Sequence, residues 1–167
     1  MNGDQAISIP LPGGLFNFRV AGLAVYNDKI LLHKSPTDQF WSLPGGRVDL
    51  FELTKETLQR EMLEETGLVV QVGDLMWVVE NFFIYEEQKY HELGFYYRMN
   101  MPDPPHQDDF LTIEAGGTLL FHWHPMDALH EIKIYPNFIT ADLIRHTSYT
   151  KHITVDFLDL NENQLKK

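Results

Sequence analysis

LPGGRVDLFELTKETLQREMLEETGL, Leu43 to Leu68, carries Glu61, Glu64 and Glu65 at the end of a run of good helix formers. The run predicts a helix over Lys55 to Glu65, with Thr54 as its N-cap and Gly67 as its stop. At 3.6 residues per turn the three glutamates share one face, beside an apolar stripe of Leu58 and Met62. Two ionised carboxylates about 6 Å apart at an effective dielectric near 20 repel by roughly 2 to 3 kcal/mol. The helix C-terminus adds to the cost, because its dipole already favours cations. Arg60, four residues from both Glu56 and Glu64, offsets part of this. A charge run is ordinarily a solvated face. The alternative is a hard divalent cation such as Mg²⁺ or Mn²⁺, held by oxygen ligands on one rigid face. Spacing alone leaves both readings open.

Outward from this helix the chain alternates strand and turn signals. FNFRVAGLAVYNDKILLHKS reads as a hairpin around Asn27-Asp28-Lys29. After the helix, VVQVGDLMWVVENFFIY and KYHELGFYYRMNM read as long strands that pair antiparallel across Glu86-Glu87-Gln88. PDPPHQDDFLTIEAGG has the composition of a functional or disordered loop. TLLFHWHP resumes as a strand, YPNFITADLIRH reads as a second helix with Pro136 in its first turn, and KHITVDFLDL alternates like a last strand. Strands interleaved with two or three helices predict a layered α/β sandwich. With 167 residues and no linker or repeat, one domain over 1–167 is expected, its C-terminal strand or tail at about 150–167.

Composition narrows the chemistry. There is no cysteine, which excludes disulfides, zinc-thiolate sites and thiol nucleophiles. The first residues lack the basic-then-apolar order of a signal peptide, and no apolar run is long enough to span a bilayer, so a cytoplasmic protein without membrane contact is expected. With 24 acidic against 13 basic side chains, the net charge of −11 opposes binding to a nucleic acid polymer. An anionic substrate would need a cation between itself and this protein.

Gly46, then Glu52, then Arg60-Glu61-Met62-Leu63-Glu64-Glu65-Thr66-Gly67-Leu68, at these spacings, resembles the box of the Nudix hydrolases, MutT-like proteins, at every defined position from 46 to 68. The resemblance implies an α/β/α sandwich with a mixed central sheet, a Mg²⁺ or Mn²⁺ cofactor, and hydrolysis of a pyrophosphate bond in a nucleoside diphosphate linked to another group. It assigns Glu61 and Glu65 as principal metal ligands, Glu64 as a further ligand or as the base, and the Gly46 carbonyl as a ligand from the turn. Arg60 stands beside this catalytic group and is expected to pair with Glu52 as structural support.

Outside the box the same resemblance suggests an additional acid, for which Glu92 and Glu114 are the candidates. Tyr85, 17 residues past Leu68, stands where diadenosine polyphosphate hydrolases carry a tyrosine, and Asn137 lies near the stretch where an asparagine contacts an oxidised purine. The proline of ADP-ribose pyrophosphatases is not found at Phe83-Ile84-Tyr85, and the arrays of NADH pyrophosphatases and coenzyme A hydrolases are absent. His122 and His124 alternate across Trp123 without a convincing third metal ligand. A small nucleotide is therefore the expected substrate, a purine triphosphate ahead of a dinucleoside polyphosphate or nucleotide sugar. A nucleotide sensor would be expected to carry a damaged box. The resemblance admits a homodimer, with no interface readable in the sequence.

Overall fold

The computed structural model describes residues 5–105, 107–114 and 117–158. Its centre is a mixed sheet built on two long strands, β2 (Gly14–Tyr26) and β6 (Gln88–Asn100), which run parallel with Ala21 opposite Tyr96. β3 (Lys29–Lys34) and β8 (Gly117–Pro125) extend the sheet on the β2 side, and β5 (Gln71–Tyr85) and β9 (Lys151–Asp156) extend it on the β6 side. β1 (Ser8–Leu11) and β4 (Gly45–Arg47) both pair with β2. The two expected hairpins turn on Asn27-Asp28 and Glu86-Glu87, each residue with φ between 47° and 65°. Paired left-handed residues match the right-handed twist of the flanking strands.

α1 (Thr54–Thr66) covers one face of the sheet. Leu58 and Met62 are fully buried there against Val20, Tyr97 and Met99. Gly22 keeps the approach close, since a Cβ on it would press on the Met99 sulfur and contact Leu58. Replacing Leu58 with alanine is therefore expected to cost about 2–5 kcal/mol, measurable by chemical denaturation. The opposite face is covered by a short 3₁₀ turn at Met126–Glu131 and by α2 (Ala141–His146), over Trp77, Val79 and Tyr96. Trp77 donates its indole N–H to Thr147 at 3.1 Å, which satisfies a polar group the core would otherwise strand. The result is the α/β/α sandwich with a mixed central sheet that the sequence predicts.

Three local expectations need correction. Thr54 opens α1 instead of capping it; Leu53 holds the N-cap with no side-chain bond, and the Thr54 hydroxyl pairs with the Tyr97 hydroxyl at 2.7 Å. Glu52, just before the helix, accepts from the Thr57 hydroxyl at 2.7 Å, a carboxylate placed near the positive end of the helix. The proline-rich segment contains β7 (Asp109–Glu114), an edge strand on β8, because Phe110 finds a stacking partner in Phe121 with ring centroids 5.0 Å apart. The second helix starts only after Thr140, whose hydroxyl accepts from Leu143 N. Tyr135 precedes a proline and so disfavours helix; its N–H bonds Trp41 O at 2.9 Å. The strand after it ends at Asp156, and residues 159–167 of the expected tail lie outside the described residues. No described helix is long and apolar enough to cross a membrane.

Candidate active site

The end of α1 faces the β4 turn. Gly45, with φ of 151°, brings β4 so close to β2 that a Cβ would collide with the backbone of Val20 and Ala21. Gly46 lies directly over Glu61, and a Cβ there would overlap the carboxylate itself. This cradle sets a backbone residue and a carboxylate in contact, an arrangement only glycine permits. Arg60 ties the acids together. Its Nε and Nη2 donate to the two oxygens of Glu52 at 2.9 Å each, and its Nη1 donates to Glu61 at 2.8 Å and Glu64 at 3.2 Å. Asp49 stands 3.9 Å away. The fork holds the pKa of Glu52 down at about 2, chiefly through the Arg60 hydrogen bonds. Burial dominates at Glu61 and raises its pKa despite Arg60.

Glu65 is deeper, 8 % exposed, with Oε2 3.8 Å from His33 Nδ1. Burial, helped by the charge of Arg19, lowers the pKa of His33 to about 3, so the imidazole is neutral at ordinary pH and this contact is not an ion pair. The Glu64 side chain, by contrast, is 59 % exposed. These acids open on a cavity of about 600 Å³ that is also lined by Arg19, Lys34, Arg47 and Arg60. A lining that combines these carboxylates with Arg19, Lys34 and Arg47 suits an anionic ligand bound through a cation.

A second cavity of about 380 Å³ adjoins it and shares Arg19 and Ser42. Its walls are aromatic: Phe40, Phe83, Tyr85, Tyr96, Tyr135 and Phe157. Its polar groups include Asn81 and Glu92, opposite each other on β5 and β6, with Asn81 Nδ2 donating to Glu92 Oε1 at 3.4 Å. Burial raises the pKa of Glu92, against the lowering effects of Arg19 and Asn81. The folded state therefore binds this proton more tightly than the unfolded chain. The contribution of Glu92 to stability is complete below the ordinary carboxylate pKa and is lost as pH rises through the folded value. Glu92→Gln is expected to raise the melting temperature at pH 8 by about 2–4 °C per kcal/mol relieved, and by less at pH 5. Thermal melts at the two pH values check this.

A family model described as NUDIX domain matches residues 16–142. The chain belongs to the Nudix family. Over 79 residues it is 37 % identical to a MutT-like protein of Streptomyces ambofaciens, covering 47 % of this chain and 49 % of that protein. Over 62 residues it is 40 % identical to an ADP-ribose pyrophosphatase of Methanocaldococcus jannaschii, covering 35 % and 37 %. A Bacillus subtilis protein whose name includes the words 8-oxo-dGTP diphosphatase is 51 % identical over 41 residues, covering 25 % and 28 %. The chain thus spans about half the length, or less, of these curated relatives. The solved MutT protein of Bacillus halodurans shares the fold with a TM-score of 0.59 at 22 % identity, covering 84 % of this chain and 92 % of that one.

Within this Nudix fold the box residues Gly46, Glu52, Arg60, Glu61, Glu64 and Glu65 come together on the α1 side. The others separate. Glu92 lines the aromatic cavity, not the acidic one. Glu114 ends β7 opposite Gly117, and its side chain lies outside the described residues. Tyr85 stands at the aromatic cavity with its hydroxyl donating to Asp38 at 3.2 Å. Asn137 is exposed beside a different cavity, near Met126 and Thr140. His122 and His124 are engaged by Asp109 and the Ala128 carbonyl, at 2.6 and 3.0 Å. Sequence reading missed Arg19, His33 and Asn81. A signal existed for Arg19, a lone charge in the apolar run of FNFRVAG.

Proposed function

We propose that this chain is a divalent-metal-dependent Nudix pyrophosphohydrolase acting on a small nucleotide, a purine nucleoside triphosphate, unmodified or oxidised, ahead of a dinucleoside polyphosphate or nucleotide sugar. The observation that carries the reading is the oxygen-donor set at the end of α1: the backbone of Gly46 against the Glu61 carboxylate, with Glu64 and Glu65 on the same helix end. Among the described residues no three such side chains already converge as a preformed cation cage, because Arg60 draws Glu61 and Glu64 to itself. Hard oxygen donors of this kind fit Mg²⁺ or Mn²⁺. The Gly46 carbonyl, Glu61 and Glu65 would hold the ion, with Glu64 as a further ligand or as the base. Bound there, such an ion would neutralise diphosphate oxygens and acidify water.

The rest falls to this chain's own groups. Arg19 lines both cavities and suits the diphosphate between them. Glu64, the most accessible of the four box glutamates by side chain, is well placed to accept a proton from attacking water. Arg60 and Glu52 lock the loop before α1 to the helix, keeping Glu61 seated. The names of the relatives, an ADP-ribose pyrophosphatase and a protein named for 8-oxo-dGTP diphosphatase, lie within this class of chemistry. The test is a Mg²⁺-dependent hydrolysis screen over purine triphosphates, their oxidised forms, diadenosine polyphosphates, ADP-ribose and nucleotide sugars, with products identified. Turnover of a triphosphate well above the rest is expected. Nucleotide binding without turnover of any would sink the hydrolase reading in favour of a sensor.

A further inference from the structure

The aromatic cavity contains a polar pair with unused capacity. Asn81 is 7 % exposed, and its Oδ1 is buried with no hydrogen-bond partner. A buried amide oxygen left without a donor ordinarily costs about 1–3 kcal/mol, so an orphan in a cavity wall points to a ligand that completes it. The amide orientation follows from its neighbour. Glu92, also 7 % exposed, accepts from Nδ2 at 3.4 Å, which leaves Oδ1 as the unpaired atom of the amide in the cavity wall. The two side chains thus present acceptors next to each other on adjacent strands. In the wall of the same cavity Phe40 meets Tyr85 and Tyr135 edge-on, with centroids 6.3 and 5.0 Å apart, an aromatic lining suited to a flat ring.

We propose that Asn81 and Glu92 read the edge of a guanine-type base, Glu92 accepting from the ring N–H and Asn81 Oδ1 from the adjacent amino group. This rests on the nucleotide-hydrolase reading above and names the base that the site selects. Two neighbouring acceptors need two neighbouring donors. Adenine and cytosine each set an amino group beside a bare ring nitrogen, which would face the carboxylate lone pair to lone pair, and uracil flanks its single N–H with carbonyls. Guanine supplies both donors, and oxidation at C8 leaves that edge intact. Burial works against the charge on Glu92, and two donors on the guanine edge would favour the ionised, accepting carboxylate that this reading requires. Arg19, shared with the acidic cavity, connects this base site to the place where the diphosphate would lie.

Calorimetric binding of GMP and AMP in EDTA, at millimolar ligand, tests the assignment without any hydrolysis. GMP should bind about tenfold or more tightly than AMP, since each unmatched buried polar group carries a penalty of that order. Asn81→Ala should weaken GMP about five- to tenfold with little effect on AMP. Glu92→Gln, which exchanges a pure acceptor for an amide, should shift the preference toward AMP. Melting curves establish that each variant is folded; if one is not, the wild-type comparison decides alone. Equal affinities, a preference for AMP, no binding of either, or variants that weaken both nucleotides alike would overturn it. Mg²⁺-dependent hydrolysis of GTP and ATP, run in parallel, separates the two claims. Turnover without base preference defeats the base assignment and leaves the hydrolase reading, whereas GMP selectivity without turnover does the reverse.

Discussion

Glu65→Gln should lower Mg²⁺-dependent hydrolysis by about a hundredfold or more while leaving the protein as stable as before, or slightly more stable. The substitution keeps the shape of the side chain and removes one charge from a crowded helix end. Glu65 is 8 % exposed and its carboxylate lies 3.8 Å from a neutral His33, a contact that an amide of the same shape preserves. Repulsion with Glu61 and Glu64 falls, and so does the unfavourable interaction with the helix C-terminus. A purely structural acid would behave in the opposite way, because its removal would lower stability and leave chemistry alone. The decisive pair of measurements is turnover and melting temperature on the same preparation, with Mn²⁺ titrated by calorimetry to show whether cation affinity falls in step. Full turnover in Glu65→Gln would remove this residue from the site.

The stretch from Leu43 to Leu68 was readable because its constraints are local. Glycines, acids and an arginine at fixed helical and turn spacings specify contacts among themselves, and Gly67 ends α1 with φ of 72° as its position suggests. The sheet was readable for the same reason, since period-two patterns and two-residue turns mark strands and hairpins without knowledge of their partners. What failed depended on distant partners. Phe110 makes a strand of a proline-rich segment only because Phe121 is there to stack on it. Tyr135 to Ile139 abandon the helix because Trp41 supplies a backbone acceptor and Phe138 packs against Trp77 with centroids 5.4 Å apart. The aromatic cavity is the extreme case. Asn81, Glu92, Arg19 and Tyr135 come from separate segments, and nothing in the composition of any one segment announces that they line a common space.

Arg60→Ala should be the most destabilising single change at the site. One guanidinium serves Glu52, Glu61 and Glu64, and Asp49 lies within 3.9 Å. Its removal deprives Glu52 of a bidentate partner at an 18 % exposed position and leaves the acidic face uncompensated. Breaking a partly buried pair from one side costs about 2–4 kcal/mol, or very roughly 5–15 °C in melting temperature for a chain of this size. The pH dependence identifies the cause. The Glu52 pKa is lowered to about 2 mainly by Arg60, so the stability it provides is complete above about pH 4.5 and is lost as pH falls toward 2. The gap between wild type and Arg60→Ala should therefore be widest near neutral pH and narrow as the pH falls through that window. Arg60→Lys keeps the charge but not the fork, and should fall between the two. A gap of the same size at pH 7 and pH 3 would mean that the arginine stabilises through its apolar stem, and that its hydrogen bonds to Glu52 contribute little.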